Sequence, residues 1–313
     1  MAKITFLGNF RVDYTSESHH TKTLESMGHE VIRLQESEVT SEIVFKNAKE
    51  SDLFVWVHTH GWETLGKFTM EDVLLELKTH NVPSMTYHLD LWFGLRRQRD
   101  LHRKPVYKHI DHFFTVDRKM ADWFNETTRV KGHYVPAGVY DKECTYTPRE
   151  PKEEIIFVGS KTYHPEWPYR PKLINFLSQT YGARFNLYGR EGLGLVRGQD
   201  LNNLYASTKI VVGDTLCPEF NYPDYWSDRI YETIGRGGFL IHPYIQGLER
   251  EFEDKKHLVF YEYNNLEQLQ NLINYYLDND EEREKIRRSG HELVKNNYTY
   301  KNRWEAILKE LNI

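Results

Sequence analysis

The sequence predicts an α/β protein of two Rossmann-like domains facing each other across a cleft, and three observations carry that expectation. Short apolar runs alternate with helical stretches, the mark of a parallel sheet wound with crossover helices. The alternation stops at a charged segment holding Pro148 and Pro151, a good linker, and then begins again. A length of 313 residues allows two domains that each bury a core, and is large for one.

In the first half, apolar runs at 4–8, 31–34, 53–58, 84–88, 112–116 and 134–135 read as strands. Helices are expected between them at 16–27, 41–50, 69–80 and 117–125. After the linker, a strand at 155–158 opens the second series: helix 170–179, strand 185–188, helix 199–206, strand 210–212, a short helix after Ser227 and strand 239–241. The end is helical. Leu266, Leu269, Leu272, Ile273, Tyr276 and Leu277 fall on one stripe, a charged helix spans 281–296, and 300–311 carries Trp304, Ile307, Leu308 and Leu311. The domains are therefore expected at 1–147 and 152–296, with a closing helical segment at 297–313.

Composition narrows the function. Hydrophobic residues at 39% and charged residues at 28% give a globular balance, and 14% aromatics suits sugar-contacting or stacking surfaces. A net charge of −5 argues against a surface coated by nucleic acid, though it leaves room for a local basic patch. Cys144 and Cys217 lie in no metal-binding spacing, so neither a zinc site nor a disulfide framework is expected, and a reducing cytoplasm fits best. The start of the chain lacks a signal-peptide core and no apolar run reaches membrane-spanning length, which predicts a cytoplasmic or at most peripheral protein.

The most informative stretch runs from Asp224 to Pro243 and reads as loop, helix, glycine turn, strand. Ser227 or Asp228 is positioned to cap the helix, Ile230 and Ile234 supply its apolar face, and Gly235, Gly237 and Gly238 end it. A helix start of this kind favours a phosphate, and the planar fork of Arg229 suits two phosphate oxygens. Glu232, one turn on, is placed to accept from ribose hydroxyls. The plainer alternative is an i, i+3 ion pair between Arg229 and Glu232 on a solvated helix.

With Glu262, Glu282, Arg283, Ser289 and Gly290 downstream, this stretch resembles the C-terminal half of GT-B glycosyltransferases, most of all the group related to spore-maturation glycosyltransferases, over most of 154–308. The resemblance implies a nucleoside-diphosphate sugar donor, with a UDP-sugar favoured, a hydroxyl acceptor, no cofactor and no metal. It also implies that the last helix crosses back to the first domain. Asp224 stands eight positions before Glu232, where retaining relatives usually carry a sugar-contacting Glu, and this leans the reading toward retention. Gly159 forms the turn after the first strand of the second domain, and Lys161 or Arg170 matches the basic residue that contacts the diphosphate. Tyr188, before Gly189, matches an aromatic-glycine turn near the base. The glycines at 192, 194 and 198 do not open a helix at dinucleotide-fingerprint spacing, which excludes a nicotinamide site.

In the first half, His58, His60 and Trp62 follow one strand, and His88, Asp90 and Trp92 follow the next, at carboxyl ends where open sheets bind ligands. An inverting reaction requires a base, for which Asp90 or His58 is available; a retaining one lets the diphosphate take the proton. Histidines satisfied by carbonyls are the plainer alternative for His58 and His88. Between 95 and 108, Arg96, Arg97, Arg99, Arg103, Lys104 and Lys108 stand against one Asp. That stretch is either a solvated face or the border of a polyanionic acceptor: a phosphorylated glycan, an anionic lipid, or DNA with a hydroxymethylated base. A nucleotide-sugar epimerase of the same architecture and a non-catalytic nucleotide-sugar-binding protein are the competing readings.

Overall fold

The computed structural model describes residues 1–91, 95, 104–162, 165–217 and 222–313. These form two compact units, Met1–Pro136 together with Tyr300–Ile313, and Ala137–Thr299.

The first unit is a six-stranded parallel sheet of order β2-β1-β3-β4-β5-β6. Its strands are β1 (Lys3–Gly8), β2 (Glu30–Gln35), β3 (Leu53–Trp56), β4 (Ser84–His88), β5 (His112–Thr115) and β6 (Lys131–Tyr134). Helices α1 (Ser16–Ser26), α2 (Ser41–Ala48), α3 (Met70–Thr79) and α4 (Arg118–Thr127) connect them. β3 and β4 are buried at every position, as strands covered on both faces must be, whereas the edge strand β2 is largely half-buried. The helix starts follow sequence logic: Thr15 accepts from the Ser18 amide, Asp117 from the Met120 amide, and Thr69 and Asp72 form a reciprocal capping box. Leu7, Phe54, Leu74, Leu77, Phe113 and Phe124 pack fully buried in the core, each contributing roughly 1.5–3 kcal/mol of transfer free energy. The last helix of the chain, Tyr300–Leu311, belongs to this unit. Its buried Trp304 donates from Nε1 to His20 Nδ1 at 3.0 Å and meets Phe6 and Tyr87 edge-on.

The second unit is a five-stranded parallel sheet of order β11-β10-β9-β7-β8. Its elements are β7 (Glu153–Val158), α5 (Tyr169–Tyr181), β8 (Phe185–Tyr188), α6 (Gly198–Ala206), β9 (Thr208–Val212), α7 (Arg229–Gly235), β10 (Leu240–Pro243), β11 (Val259–Tyr261), α8 (Leu266–Asp278) and α9 (Asp280–Asn297). The sequence gives no warning of β11, a three-residue edge strand too short to show a period. Gly237, at φ +80°, makes the turn after α7, and a side chain there would strike Tyr146 at 2.2 Å. Arg287 of α9 closes the packing by donating to the buried carbonyls of Tyr205, Gly237 and Thr208.

One expectation is corrected at α7. Asp228 is the N-cap residue, but its backbone is already helical and its side chain makes no capping bond. Ser227 does not cap either: its amide donates to Thr215 Oγ1 at 2.9 Å and its own hydroxyl oxygen is buried without a partner. The helix has seven residues, so its start contributes little as a dipole.

Both sheets share one topology. The chain leaves the central strand in one direction and later returns to its other side, so the winding reverses between β1 and β3 and again between β7 and β9. Connections there part to opposite faces, and the carboxyl ends of those strands flank an open crevice. Among the described residues no helix is long and apolar enough to cross a membrane.

Candidate active site

At the β7/β9 crevice of the second unit the backbone has been cleared for one side chain. Gly159 follows β7 at φ +146°, where L side chains are rarely found, and an added Cβ would lie 2.9 Å from Arg229 Nη1 and 3.1 Å from its Cζ. The Gly159 turn also abuts the turn after β8: the Gly159 amide donates to the Tyr188 carbonyl at 2.7 Å, and a side chain on Gly189 would strike the Gly159 carbonyl at 2.4 Å. Two glycines therefore bring two turns together and seat the Arg229 guanidinium on the first. Arg229 Nη1 is buried and has no hydrogen-bond partner, an unmet donor of the kind that a bound anion satisfies. Arg229 does not pair with Glu232, whose Oε1 lies 3.8 Å from Arg236 instead.

Beside it Arg170, buried in the first turn of α5, places Nε 3.2 Å from Asp214 Oδ2. Trp167 Nε1 donates to the same oxygen at 2.9 Å and the Tyr263 hydroxyl reaches Oδ1 at 3.3 Å. Burial, and then the neighbouring charge of Arg229, lowers the Arg170 pKa; burial raises that of Asp214, against the opposing pull of Arg170. Two guanidiniums, Arg229 and Arg170, share this crevice with the Asp214 carboxylate, a setting that suits an anionic ligand. His242, at the end of β10, completes the floor. Its Nδ1 donates to the Pro243 carbonyl at 2.8 Å and burial pushes its pKa down to about 3, so the ring is neutral and the buried, unpartnered Nε2 is an acceptor.

The remaining second-unit candidates surround this group unevenly. Lys161 is half-buried just past the Gly159 turn, which Glu191 holds by accepting from the Lys161 amide and the Thr162 hydroxyl. Tyr188 is engaged at its hydroxyl by Glu153 Oε1 at 2.8 Å. Glu232 keeps a partly exposed carboxylate on α7. Asp224 sits in the left-handed region at φ +56°, and its carboxylate pairs with Arg250.

In the first unit the β1/β3 crevice holds a different chemistry. His58, two residues past β3 and buried, bonds through Nδ1 to Oε1 of Glu36, and Trp56 Nε1 donates to that same oxygen at 2.7 Å. His88, at the end of β4, bonds through Nδ1 to the Asp90 carbonyl at 3.0 Å, and burial lowers its pKa to about 3. Glu17 is buried in the first turn of α1 with its Cγ against Gly8; burial raises its pKa to about 7, and the charges of Asp90 and Glu36 push the same way. On the loop beyond His58, His60 and Trp62 stack at 4.4 Å and Arg11 lies over the Trp62 ring at 5.0 Å. Trp92, Arg96 and Arg97 lie outside the described residues. No group of three or more metal-ligating side chains occurs among the described residues.

Sequence reasoning passed over Glu36, Glu17 and Trp167. Glu36 carries no local signal, because its partners stand some twenty residues away on a strand that becomes its neighbour only in the sheet. His242 falls within the 224–243 stretch, and Asp214 belongs to no motif of its own. Their placement directly after β9 and at the end of β10 is the signal that marks them.

Two parallel sheets with alternating helices in this order define the fold of GT-B glycosyltransferases. Residues 170–309 match the family model described as glycosyl transferase-like. Among solved structures, HepE from Anabaena, in complex with UDP and glucose, is similar over 100% of both chains at 13% identity and a TM-score of 0.67. An alpha-glucosyltransferase bound to UDP-glucose and DNA containing an abasic site is similar over 100% of both chains at 11% identity and a TM-score of 0.71. A glycosyltransferase from Rickettsia africae is similar over 98% of this chain and 97% of its own at 15% identity and a TM-score of 0.64. No curated protein matches the chain in sequence.

Proposed function

We propose that the protein transfers a hexose from a UDP-sugar, with UDP-glucose as first candidate, to a hydroxyl acceptor. The observation that carries this reading is the buried, unpartnered Arg229 Nη1, seated on Gly159 at the β7/β9 crevice. The match to a glycosyl transferase-like family over 170–309 and the UDP-containing complexes of proteins with this fold support it. The finer likeness to the spore-maturation group rests on the sequence motifs alone.

In this reading Arg229 neutralises charge developing on the departing diphosphate, Arg170 holds the Asp214 loop and adds to the field, and Glu232 takes the ribose hydroxyls. The two guanidiniums make transfer independent of metal and cofactor. Retention is what the resemblance implies and needs no protein base, whereas inversion needs one. The cations of 96–108 favour a polyanionic acceptor, such as a phosphoglycan, an anionic lipid or hydroxymethylated DNA, and Cys144 and Cys217, which form no disulfide, suit a cytoplasmic protein. The test is calorimetric titration with UDP, ADP and GDP, then UDP release from UDP-glucose in EDTA. Selective UDP binding and EDTA-resistant release are expected; failure to bind any nucleoside diphosphate sinks the proposal.

A further inference from the structure

We infer that His242 reads the sugar of the donor, accepting through Nε2 a hydrogen bond from a hexose hydroxyl that a bare nucleoside diphosphate does not carry. The inference rests on the donor reading above and deepens it, and the residues concerned all belong to the second unit. His242 stands at the carboxyl end of β10, in the region where the crevice opens, and is only 1% exposed. Its Nδ1 meets the Pro243 carbonyl at 2.8 Å. A carbonyl only accepts, so the ring proton sits on Nδ1 and Nε2 keeps its lone pair. Burial disfavours a second proton on the ring, and the charges of Arg229 and Arg170 act the same way. Nε2 is therefore a neutral acceptor, buried and without a partner, and folds rarely leave such an atom unmet unless something else completes it.

The backbone makes room for this edge of the ring. Gly213 follows β9, and a Cβ there would lie 2.7 Å from His242 Cδ2, the carbon bonded to Nε2. Gly213 thus seats His242 beside β9 as Gly159 seats Arg229 beside β7. The same segment gathers the rest of the crevice. Asp214 Oδ2 accepts from Trp167 and Arg170, and Thr215 Oγ1 accepts from the amide of Ser227, two residues before Arg229.

Around the 213–215 turn, then, stand a hydroxyl, a cationic donor and a neutral acceptor: Ser227 Oγ, Arg229 Nη1 and His242 Nε2, each buried and unpartnered. A phosphate answers the first two, because its oxygens accept. It does not answer the third, since a phosphate oxygen facing a nitrogen lone pair is repelled. His242 requires a donor next to the phosphate. The terminal phosphate of a nucleoside diphosphate ends in oxygens that accept, whereas a hexose joined there brings hydroxyls that donate. In the donor reading Glu232 takes the ribose, so the hexose supplies the hydroxyl left for Nε2.

The test is calorimetric titration of the full chain with UDP, UDP-glucose and UDP-glucose analogues lacking the hydroxyl at C2, C3, C4 or C6. In the wild type one of these analogues should bind about 10-fold more weakly than UDP-glucose, because its missing hydroxyl leaves Nε2 unmet. His242→Asn keeps an amide that can donate to the Pro243 carbonyl and withdraws the Nε2 end. It should weaken UDP-glucose binding by about 10-fold, hold UDP within about 2-fold, and erase the penalty for that one analogue. His242→Gln, which returns an acceptor oxygen toward the Nε2 position, should recover part of the loss. Nitrogen-15 NMR of the wild type should show the Nε2 signal of His242 shifting with UDP-glucose and staying in place with UDP. A histidine that serves packing alone would change the UDP and UDP-glucose affinities together, single out no analogue and leave the Nε2 signal indifferent to the sugar; any of these results overturns the assignment. Should His242→Asn fail to fold, the analogue series and the Nε2 signal of the wild type decide. A wild type that binds UDP but shows no analogue penalty overturns His242 alone, whereas one that binds no UDP overturns the donor reading and this assignment with it.

Discussion

Replacing Arg229 by alanine separates binding from folding in a way few other changes here can. In the unliganded protein Arg229 Nη1 has no hydrogen-bond partner, and its charge works against the buried Arg170 beside it. Deleting it leaves no native acceptor of Nη1 unsatisfied and relieves a repulsion, so the thermal midpoint should hold or rise slightly. With UDP bound the same deletion removes a charge-assisted contact worth about 1.5–3 kcal/mol. At about 1.4 kcal/mol per tenfold, the UDP dissociation constant should rise roughly 10- to 150-fold. Calorimetry and thermal melting measure the two sides. Gly159→Ala supplies the partner measurement, because its Cβ would sit 2.9 Å from Nη1 and must displace the guanidinium. It should weaken UDP binding in the wild type and add little once Arg229 is gone, a non-additivity expected of groups in contact. Unchanged UDP affinity in Arg229→Ala, or losses that simply add, would refute the reasoning.

The other predictions follow from single contacts. Glu232→Gln should narrow the difference in affinity between UDP and 2′-deoxy-UDP, since an amide offers one acceptor oxygen where the carboxylate offers two; an undiminished difference removes Glu232 from the ribose site. Asp214→Asn removes the carboxylate charge that pairs with the buried Arg170 and should destabilise the second unit by about 3–5 kcal/mol, read by denaturant unfolding. Glu17 titrates near 7 in the fold and near 4.5 when exposed. Its raised pKa means that the fold prefers the protonated carboxyl, so stability falls as pH rises from about 4.5 to 7 and then levels off. Glu17→Gln should therefore gain about 3 kcal/mol at pH 8 and little at pH 4, and an equal gain at both would contradict the assignment. Arg96→Ala with Arg97→Ala should raise the apparent constant for an anionic acceptor, most at low salt, and leave UDP release into water unchanged; indifference to salt returns that stretch to ordinary surface.

The two-sheet fold was legible because parallel strands buried on both faces write long apolar runs, as 53–57 and 155–158 do. Boundaries followed the caps where caps exist. Thr15, Thr69 and Asp117 mark their helices, whereas α7 starts without a side-chain cap because the preceding loop is fastened to Thr215. β11 escaped notice because three residues carry no period. In the second unit the local stretch from Gly159 to His242 contained most of the crevice, since Gly159 and Arg229 each announce themselves by residue type. The Glu36–His58–Trp56 group was opaque. A glutamate in a polar loop looks like every other glutamate until the β2, β1, β3 order brings it to a histidine twenty-two residues later. Asp224 was legible only as a motif position; that its carboxylate pairs with Arg250, twenty-six residues on, carries no local signal.

The most direct test of the central claim is release of UDP from UDP-glucose by the purified chain, followed by coupled detection with and without an acceptor alcohol. The account predicts slow release into water, faster release with alcohol, formation of a glucoside, and loss of all three in Arg229→Ala. Tight UDP binding with no release under any acceptor would contradict it and leave a nucleotide-binding protein. Release of UDP accompanied by an epimerised free sugar and no glucoside would assign the same crevice to epimerisation.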